Sequence, residues 1–317
     1  MTRTAKIRGG ITVALLACLF FPFAAHPQFA RTLFRRLRGS HSNHFSHSAS
    51  NPPSAALPKM FFWAWERPED LRFLESKNAG VAFLAKTIYV PSSDEDPRND
   101  AGGSLFVRPR LQPLRVAPGT PLIAVVRIET RAGRQPAAYV AGSPRSSSRS
   151  SFTPLQNQRL LDEIVELQKL PYIRAIQIDF DATLGERAAY ANLLKDLRRS
   201  LPPSLPLSIT ALASWCIGDL WLEQLPPGTI DEAVPMLFRM GPDTASVAKF
   251  LRSGDEFRVS ACQSSLGLST DEPLSNGLLK GTFPNTPSVL RSKRMYIFAP
   301  RAWTQTAAEA VLKERQP

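Results

Sequence analysis

The chain predicts an α/β fold, a (β/α)8 TIM barrel, on three observations. From residue 59 onward, strands and helices alternate through eight units within roughly 250 residues, the usual size of such a barrel. The strands are near-continuous apolar runs, as in a parallel sheet buried on both faces. No Gly-x-Gly-x-x-Gly or P-loop run follows the first strand, which places an open doubly wound sheet second.

Each unit has its own signal. Met60 to Trp65 is an apolar and aromatic first strand. Pro68, Glu69 and Asp70 suit a helix N-terminus and predict a short amphipathic helix over Arg67 to Lys77. Gly80 to Lys86 and Pro121 to Arg127 read as the second and third strands, with extra extended segments, such as Ser104 to Val116, inserted between them. Residues 131 to 153 form a loop rich in Ser, Gly, Pro and Arg; its run Ser143 to Arg149 reads as a mobile segment or a basic lid. Leu155 to Leu170 carries apolar positions at helical spacing. The fourth strand is Ile173 to Asp181, followed by a helix from Glu186 to Ser200. Then come a fifth strand (Leu207 to Leu212), a brief helix (Gly218 to Gln224), a sixth strand (Glu232 to Phe238) and a helix from Asp243 to Arg252. Phe257 to Cys262 is the expected seventh strand and Met295 to Ala299 the eighth, closed by a helix from Gln305 to Glu314.

The 317 residues divide by composition into three parts. Residues 1–30 read as a signal or membrane anchor: Arg3, Lys6 and Arg8 precede the uncharged apolar run Ile11 to Ala25. Leu15-Leu16-Ala17-Cys18 has the form of a lipoprotein cleavage box, but apolar Leu19, Phe20 and Phe21 follow it, so lipidation ranks below an anchor or ordinary signal. Residues 31–58 read as a basic and Ser/His/Pro linker, and its arginines suit anionic headgroups or a solvated flank. Residues 59–317 are the barrel domain. The net charge of +12 does not indicate a nucleic-acid partner. Residues 1 to 58 hold seven basic residues and no acid, whereas the remainder carries only +5, and no nucleic-acid motif occurs.

All four histidines (His26, His41, His44, His47) precede the barrel domain. That excludes Ser-His-Asp and Cys-His triads and the usual zinc sites from the folded body. Cys216 and Cys262 are too few for a thiolate zinc site; in an oxidising compartment they either pair or stay as buried thiols. No nucleotide cofactor is indicated, and a metal at the paired aspartates lacks a clear third ligand.

The fourth strand carries the chemistry. With a side-chain period of two, Gln177, Asp179 and Asp181 share one face and Ile176, Ile178 and Phe180 the other. Two carboxylates at the end of a buried strand are costly to desolvate, so they serve binding, acid/base chemistry or a structural ion pair. Strand ends form the site rim of a TIM barrel. They supply Trp63, Trp65 and Glu66 from the first strand, Lys86 from the second, and Arg127 and Glu129 from the third. Trp215 follows the fifth, Met236, Phe238 and Arg239 end the sixth, Gln263 and Ser264 follow the seventh, and Phe298, Arg301 and Trp303 lie at the eighth. Indole rings beside carboxylates suit a carbohydrate, whose C–H faces stack on the ring while acids and amides take its hydroxyls. Asp181 is the expected acid/base, with Asp179 orienting it or stabilising positive charge. Trp221 reads as core.

The chain resembles an uncharacterised family of bacterial exported proteins, domain of unknown function 3142. The resemblance lies in Phe62-Trp63-Ala64-Trp65-Glu66, Gln177-Ile178-Asp179-Phe180-Asp181-Ala182, Tyr190 to Leu201, Leu207 to Leu212 and Val234 to Met240, and spans most of residues 59 to 300. The family name implies no activity. More distantly, the fourth strand is similar to that of chitinase-like glycoside hydrolases of family 18, which ends Asp-x-x-Asp-x-Asp-x-Glu. On that pattern the second and third acids fall on Asp179 and Asp181, the first on Ile176, and the general-acid Glu on Thr183. The sixth-strand Met-x-Tyr-Asp of that group resembles Met236-x-Phe238-Arg239 with Tyr and Asp lost; Glu186 and Glu66 are the acids a loop could supply instead. The expectation is an extracytoplasmic (periplasmic), membrane-associated glycoside-hydrolase-like barrel with a carbohydrate ligand, an enzyme or a non-catalytic glycan-binding or envelope-assembly protein.

Overall fold

A computed structural model describes residues 57–74, 79–91, 104–130, 152–283 and 292–314. The anchor, nearly all of the linker and most of the 131–153 loop lie outside the described residues. Eight strands form the barrel: β1 (Met60–Ala64), β2 (Ala79–Val90), β3 (Leu122–Thr130), β4 (Ile173–Asp179), β5 (Leu207–Leu212), β6 (Glu232–Met236), β7 (Ser265–Ser269) and β8 (Arg294–Phe298). Each pairs in parallel with the next, and β1 pairs with both β2 and β8, which closes the ring. The described helices are α1 (Pro154–Val165), α2 (Arg187–Ser200), α3 (Ala213–Ile217), α4 (Thr244–Ser253), α5 (Pro273–Leu279) and α6 (Gln305–Lys313). Sequence dictates their ends in places. The Thr153 hydroxyl accepts from the Gln156 backbone and the Gln156 side chain returns to Thr153, a capping box that starts α1.

The strands alternate as the period of two requires. Ile176, Ile178 and Phe180 join the layer between barrel and helices, with Tyr190, Leu193 and Leu197 of α2. Phe61, Trp63, Ile123, Val125, Ala175 and Tyr296 fill the barrel itself. Two glycines make room for this inner layer. A Cβ on Gly267 would lie 3.1 Å from the Trp63 ring, and one on Gly80 only 2.3 Å from Phe61 and 2.8 Å from the Pro121 carbonyl. Replacing Gly80 by Ala therefore drives the new methyl into the Phe61 ring and the Pro121 carbonyl, and a cost of roughly 1–3 kcal/mol is expected. Urea unfolding checks this; an unchanged midpoint would mean that the strands part freely there.

The barrel interior is polar as well as aromatic. Gln177, Ser208 and Glu232 lie side by side in register across β4, β5 and β6. Gln177 donates to Ser208 at 3.1 Å, and Ser208 donates to Glu232 at 3.2 Å. Glu232 also accepts from Arg294 at 2.5 Å and from the Tyr296 hydroxyl at 2.6 Å. Burial pushes the Tyr296 phenol well above its ordinary pKa, and the Glu232 charge adds to this, so it stays protonated and donates.

Three expected elements are corrected. The seventh strand is Ser265–Ser269; within Phe257 to Cys262 the chain instead makes a 3-10 turn at Ser260–Cys262, because Cys262 is drawn into a disulfide with Cys216, Cα–Cα 5.9 Å. Gln263 and Ser264 therefore precede β7 and do not reach the rim. The helix expected over Arg67 to Lys77 is, in its described part, a two-residue strand, Glu69–Asp70, followed by a 3-10 turn, Arg72–Leu74. Glu69 is buried and is committed to the Arg67 side chain and the Trp303 backbone N–H. The brief helix placed at Gly218 starts earlier, as α3, and is followed by a 3-10 turn at Leu220–Gln224.

The expected insertion between β2 and β3 holds a strand, Phe106–Pro109, antiparallel to β2, and Leu114–Arg115, which pairs with Glu69–Asp70. Its Arg110 donates to the carbonyls of Ala64, Trp65 and Arg67, and so pins the exit of β1.

Candidate active site

A cleft of about 440 Å³ opens at the C-terminal ends of the strands. Trp63 forms part of its base. Its indole N–H donates to Gln177 at 3.1 Å, and its ring packs against Phe238 and Tyr296. Phe238 and Phe298 stack at 5.6 Å on one side, and Trp65 lies on another with the Arg127 guanidinium 5.8 Å from its ring centre. The cleft is thus apolar and aromatic with a few convergent charges, the usual character of a small-ligand site.

Asp179 is buried at the end of β4 and fully engaged. One oxygen accepts from Thr210 at 2.8 Å and the other from Arg127 at 3.1 Å. Arg127 and Asp179 are register partners on adjacent strands, so their pairing follows from the sheet itself. Asp181 is different. It is exposed on one side, yet protein encloses it on the others, and no basic side chain pairs with it among the described residues. Burial raises its pKa to about 6, the Asp179 charge adds to this, and Arg127 opposes it. Asp179 is thus tied to two partners, while its neighbour Asp181 keeps a proton into the mildly acidic range.

Of the sequence-predicted residues, Asp179, Asp181, Trp63, Trp65, Arg127, Met236, Phe238, Arg239 and Phe298 line this cleft. Glu129 lines a smaller adjoining pocket and pairs with Arg127 at 3.0 Å. Gln177 lies beneath, fully buried, and holds Trp63 rather than the cleft surface. Glu66 pairs with Arg108 at the exposed rim.

Three further residues expected to bind ligand, Lys86, Trp215 and Trp303, are also not brought to the cleft. Lys86 turns outward to Glu163 on α1, at 2.6 Å, because a register shift in β2 between Leu84 and Lys86 inverts the alternation. Trp215 is buried against Trp221 behind β5. Trp303 is a strut: its indole N–H donates to the Trp63 carbonyl, and its ring meets Phe62 edge-on at 4.8 Å. Thr183, at the family 18 acid position, is exposed and donates to Glu186, which is itself buried in that turn and absent from the cleft lining.

Two polar cleft residues, Thr210 and Asp243, escaped sequence reasoning. Thr210 was findable: with Ser208 it forms a polar face within an apolar strand, two residues apart. Asp243 was masked by its place at the start of a helix, where an Asp reads as a cap. Arg239 holds a left-handed backbone, φ 53°, fixed by both Glu272 carboxylate oxygens on its N–H. Such strain, unusual outside glycine, accompanies functional loops.

No curated protein sequence matches the chain. Among solved structures, the crystal structure of a family GH18 chitinase from Chromobacterium violaceum aligns over 85% of this chain and 89% of that one, at 11% identity and a TM-score of 0.47. Residues 150–232, a narrower span than the resemblance in the sequence, match the model of the family described as Domain of unknown function (DUF3142).

Proposed function

We propose that this barrel is a glycoside-hydrolase-like enzyme acting on a bacterial polysaccharide or envelope glycan. Asp181 is its acid/base, and Asp179 is the fixed charge beneath it. The observation that carries this is the unpaired, proton-retaining Asp181 above the locked Asp179, in a cleft walled by Trp63, Trp65 and Phe238. Aromatic faces hold sugar rings, and a carboxyl that keeps its proton near pH 6 can give it to a leaving oxygen. The Cys216–Cys262 disulfide supports an extracytoplasmic location, with the N-terminal segment as the membrane partner.

Asp181→Asn in the full chain tests this. Release of reducing ends from extracted envelope polysaccharide should fall roughly 10²–10⁴-fold while binding persists. Because the protonated form acts, wild-type turnover should decline as pH rises through about 6. Stability moves in the same sense. The carboxyl binds its proton more tightly folded than at its ordinary 3.8, so stability is lost as pH rises from 3.8 to about 6. Asn removes that loss, so the variant should melt above wild type at pH 8 and with it at pH 3.5. Unchanged turnover would rule Asp181 out as the acid.

A second reading, a non-catalytic glycan-binding or envelope-assembly protein, is favoured by Thr183 at the family 18 acid position and by the inward-turned Glu186. Wild-type protein that binds the polysaccharide at pH 5 without releasing reducing ends would decide for it.

A further inference from the structure

Bond cleavage between sugars ordinarily needs two carboxyl groups, one to protonate the leaving oxygen and one to serve the opposite face of the ring. Asp179 is poorly placed for the second task. Both of its oxygens are taken, by Thr210 and Arg127, and it ends β4 only two residues before Asp181. Glu129 is bound to Arg127 and lines the adjoining pocket instead of the cleft.

Asp243 has neither constraint. It lines the main cleft from the loop after β6. It sits at the start of α4, where an aspartate side chain ordinarily caps the first turn, yet it makes no capping bond. Among the described residues its carboxylate has no hydrogen bond or ion pair. Its backbone is nonetheless fixed: its N–H donates to the Met240 carbonyl, and its carbonyl accepts from Ser246. A short polar side chain on a fixed backbone, uncommitted to its own helix and facing the cleft, is free to meet a ligand.

Resting on the glycosidase reading, we propose that Asp243 is the second catalytic carboxylate, a general base that activates water. Asp181 follows β4 and Asp243 lies in the turn between β6 and α4, so the two reach the one cleft from different elements. Acid and water-activating base from different elements is the arrangement of inverting enzymes, whose carboxyls leave room for a water between them. In the step, Asp243 takes a proton from water as the water oxygen bonds to the anomeric carbon. The bond from that carbon to the leaving oxygen breaks, and Asp181 gives the leaving oxygen its proton. Asp243 ends protonated and Asp181 ionised, and exchange with solvent restores both.

The test uses full-length Asp243→Asn and Asp243→Ala on extracted envelope polysaccharide. Asp243→Asn should lose roughly 10²–10⁴-fold in turnover while melting with wild type, since the side chain has no partner to lose. The decline near pH 6 set by Asp181 should persist in the residual activity. Azide, which needs no base, should restore turnover to Asp243→Ala and yield a glycosyl azide; a merely structural residue is not rescued this way. NMR of the first-formed product of wild type should show the inverted anomer. Full turnover by Asp243→Asn, alongside an inactive Asp181→Asn, would overturn this assignment and leave the glycosidase reading standing. A retained anomer would overturn the base role alone. A wild type without turnover would remove the glycosidase reading itself, and this assignment with it.

Discussion

Replacing Glu232 by Ala is expected to cost about 3–5 kcal/mol, enough to unfold a marginal domain. Glu232 is 1% exposed and Arg294 5%, so their 2.5 Å pair lies in the closed end of the barrel with little water. The substitution takes the carboxylate away from the buried Arg294 guanidinium, whose bond to the Pro58 carbonyl remains, and removes the acceptor of the Tyr296 and Ser208 hydroxyls. Removing both charges behaves differently, because the desolvation of the pair then disappears along with its attraction. Glu232→Leu combined with Arg294→Met should therefore recover most of the loss. Urea unfolding at constant m-value reads both. A single variant within 1 kcal/mol of wild type would show that water reaches Arg294. The effect should extend upward. Glu232 holds Ser208, Ser208 holds Gln177, and Gln177 holds the indole of Trp63 in the cleft. Stability and ligand binding should fall together.

That interior network was hidden in the sequence for a physical reason. Glu232 and Arg294 stand at the first residues of their strands, where a charged residue reads as a boundary. Only closure of the ring turns both inward to face each other. The clear features were local ones. The alternation from Ile173 to Asp181 placed both aspartates on the inner face, and the apolar runs marked seven of the eight strands. The exception is the seventh, because Phe257 to Cys262 is apolar for a different purpose. Phe257 and Val259 pack into the outer core, and Cys262 forms the disulfide. The true strand, Ser-Leu-Gly-Leu-Ser, has few large side chains because Gly267 must leave room for Trp63. Lys86 misled for a related reason: one extra residue in β2 reverses every inside–outside assignment after it. Trp215 misled because α3 begins directly after β5 and carries the ring behind the sheet.

The disulfide ties these facts to the site. Cys216 lies in α3 and Cys262 in the turn before β7, and both are fully buried. The segment between them, a sequence separation of 46, contains all of β6 and α4, and so every cleft residue from Met236 to Asp243. Closing a loop of that length restricts the unfolded chain by about 4 kcal/mol. Cys216→Ser with Cys262→Ser should lose an amount of that order, read as a fall in the unfolding midpoint. The consequence is not confined to the unfolded state. The β6–α4 unit enters the barrel through a single register pair with β7, Gly267↔Met236, whereas it joins β5 through five. Beyond that pair it is held to β7 and the turn after it by a few bonds, Leu237 N–H to Gly267, Arg239 N–H to Glu272 and Ser275 to the Leu237 carbonyl, and the disulfide ties together the two ends of the segment. Reduction should loosen this side of the cleft first. Hydrogen exchange in β6 and α4 should rise before exchange in β3 and β4, and ligand binding should weaken at temperatures where the barrel is still folded. Uniform exchange across the barrel after reduction would show that the bond acts on the unfolded chain alone.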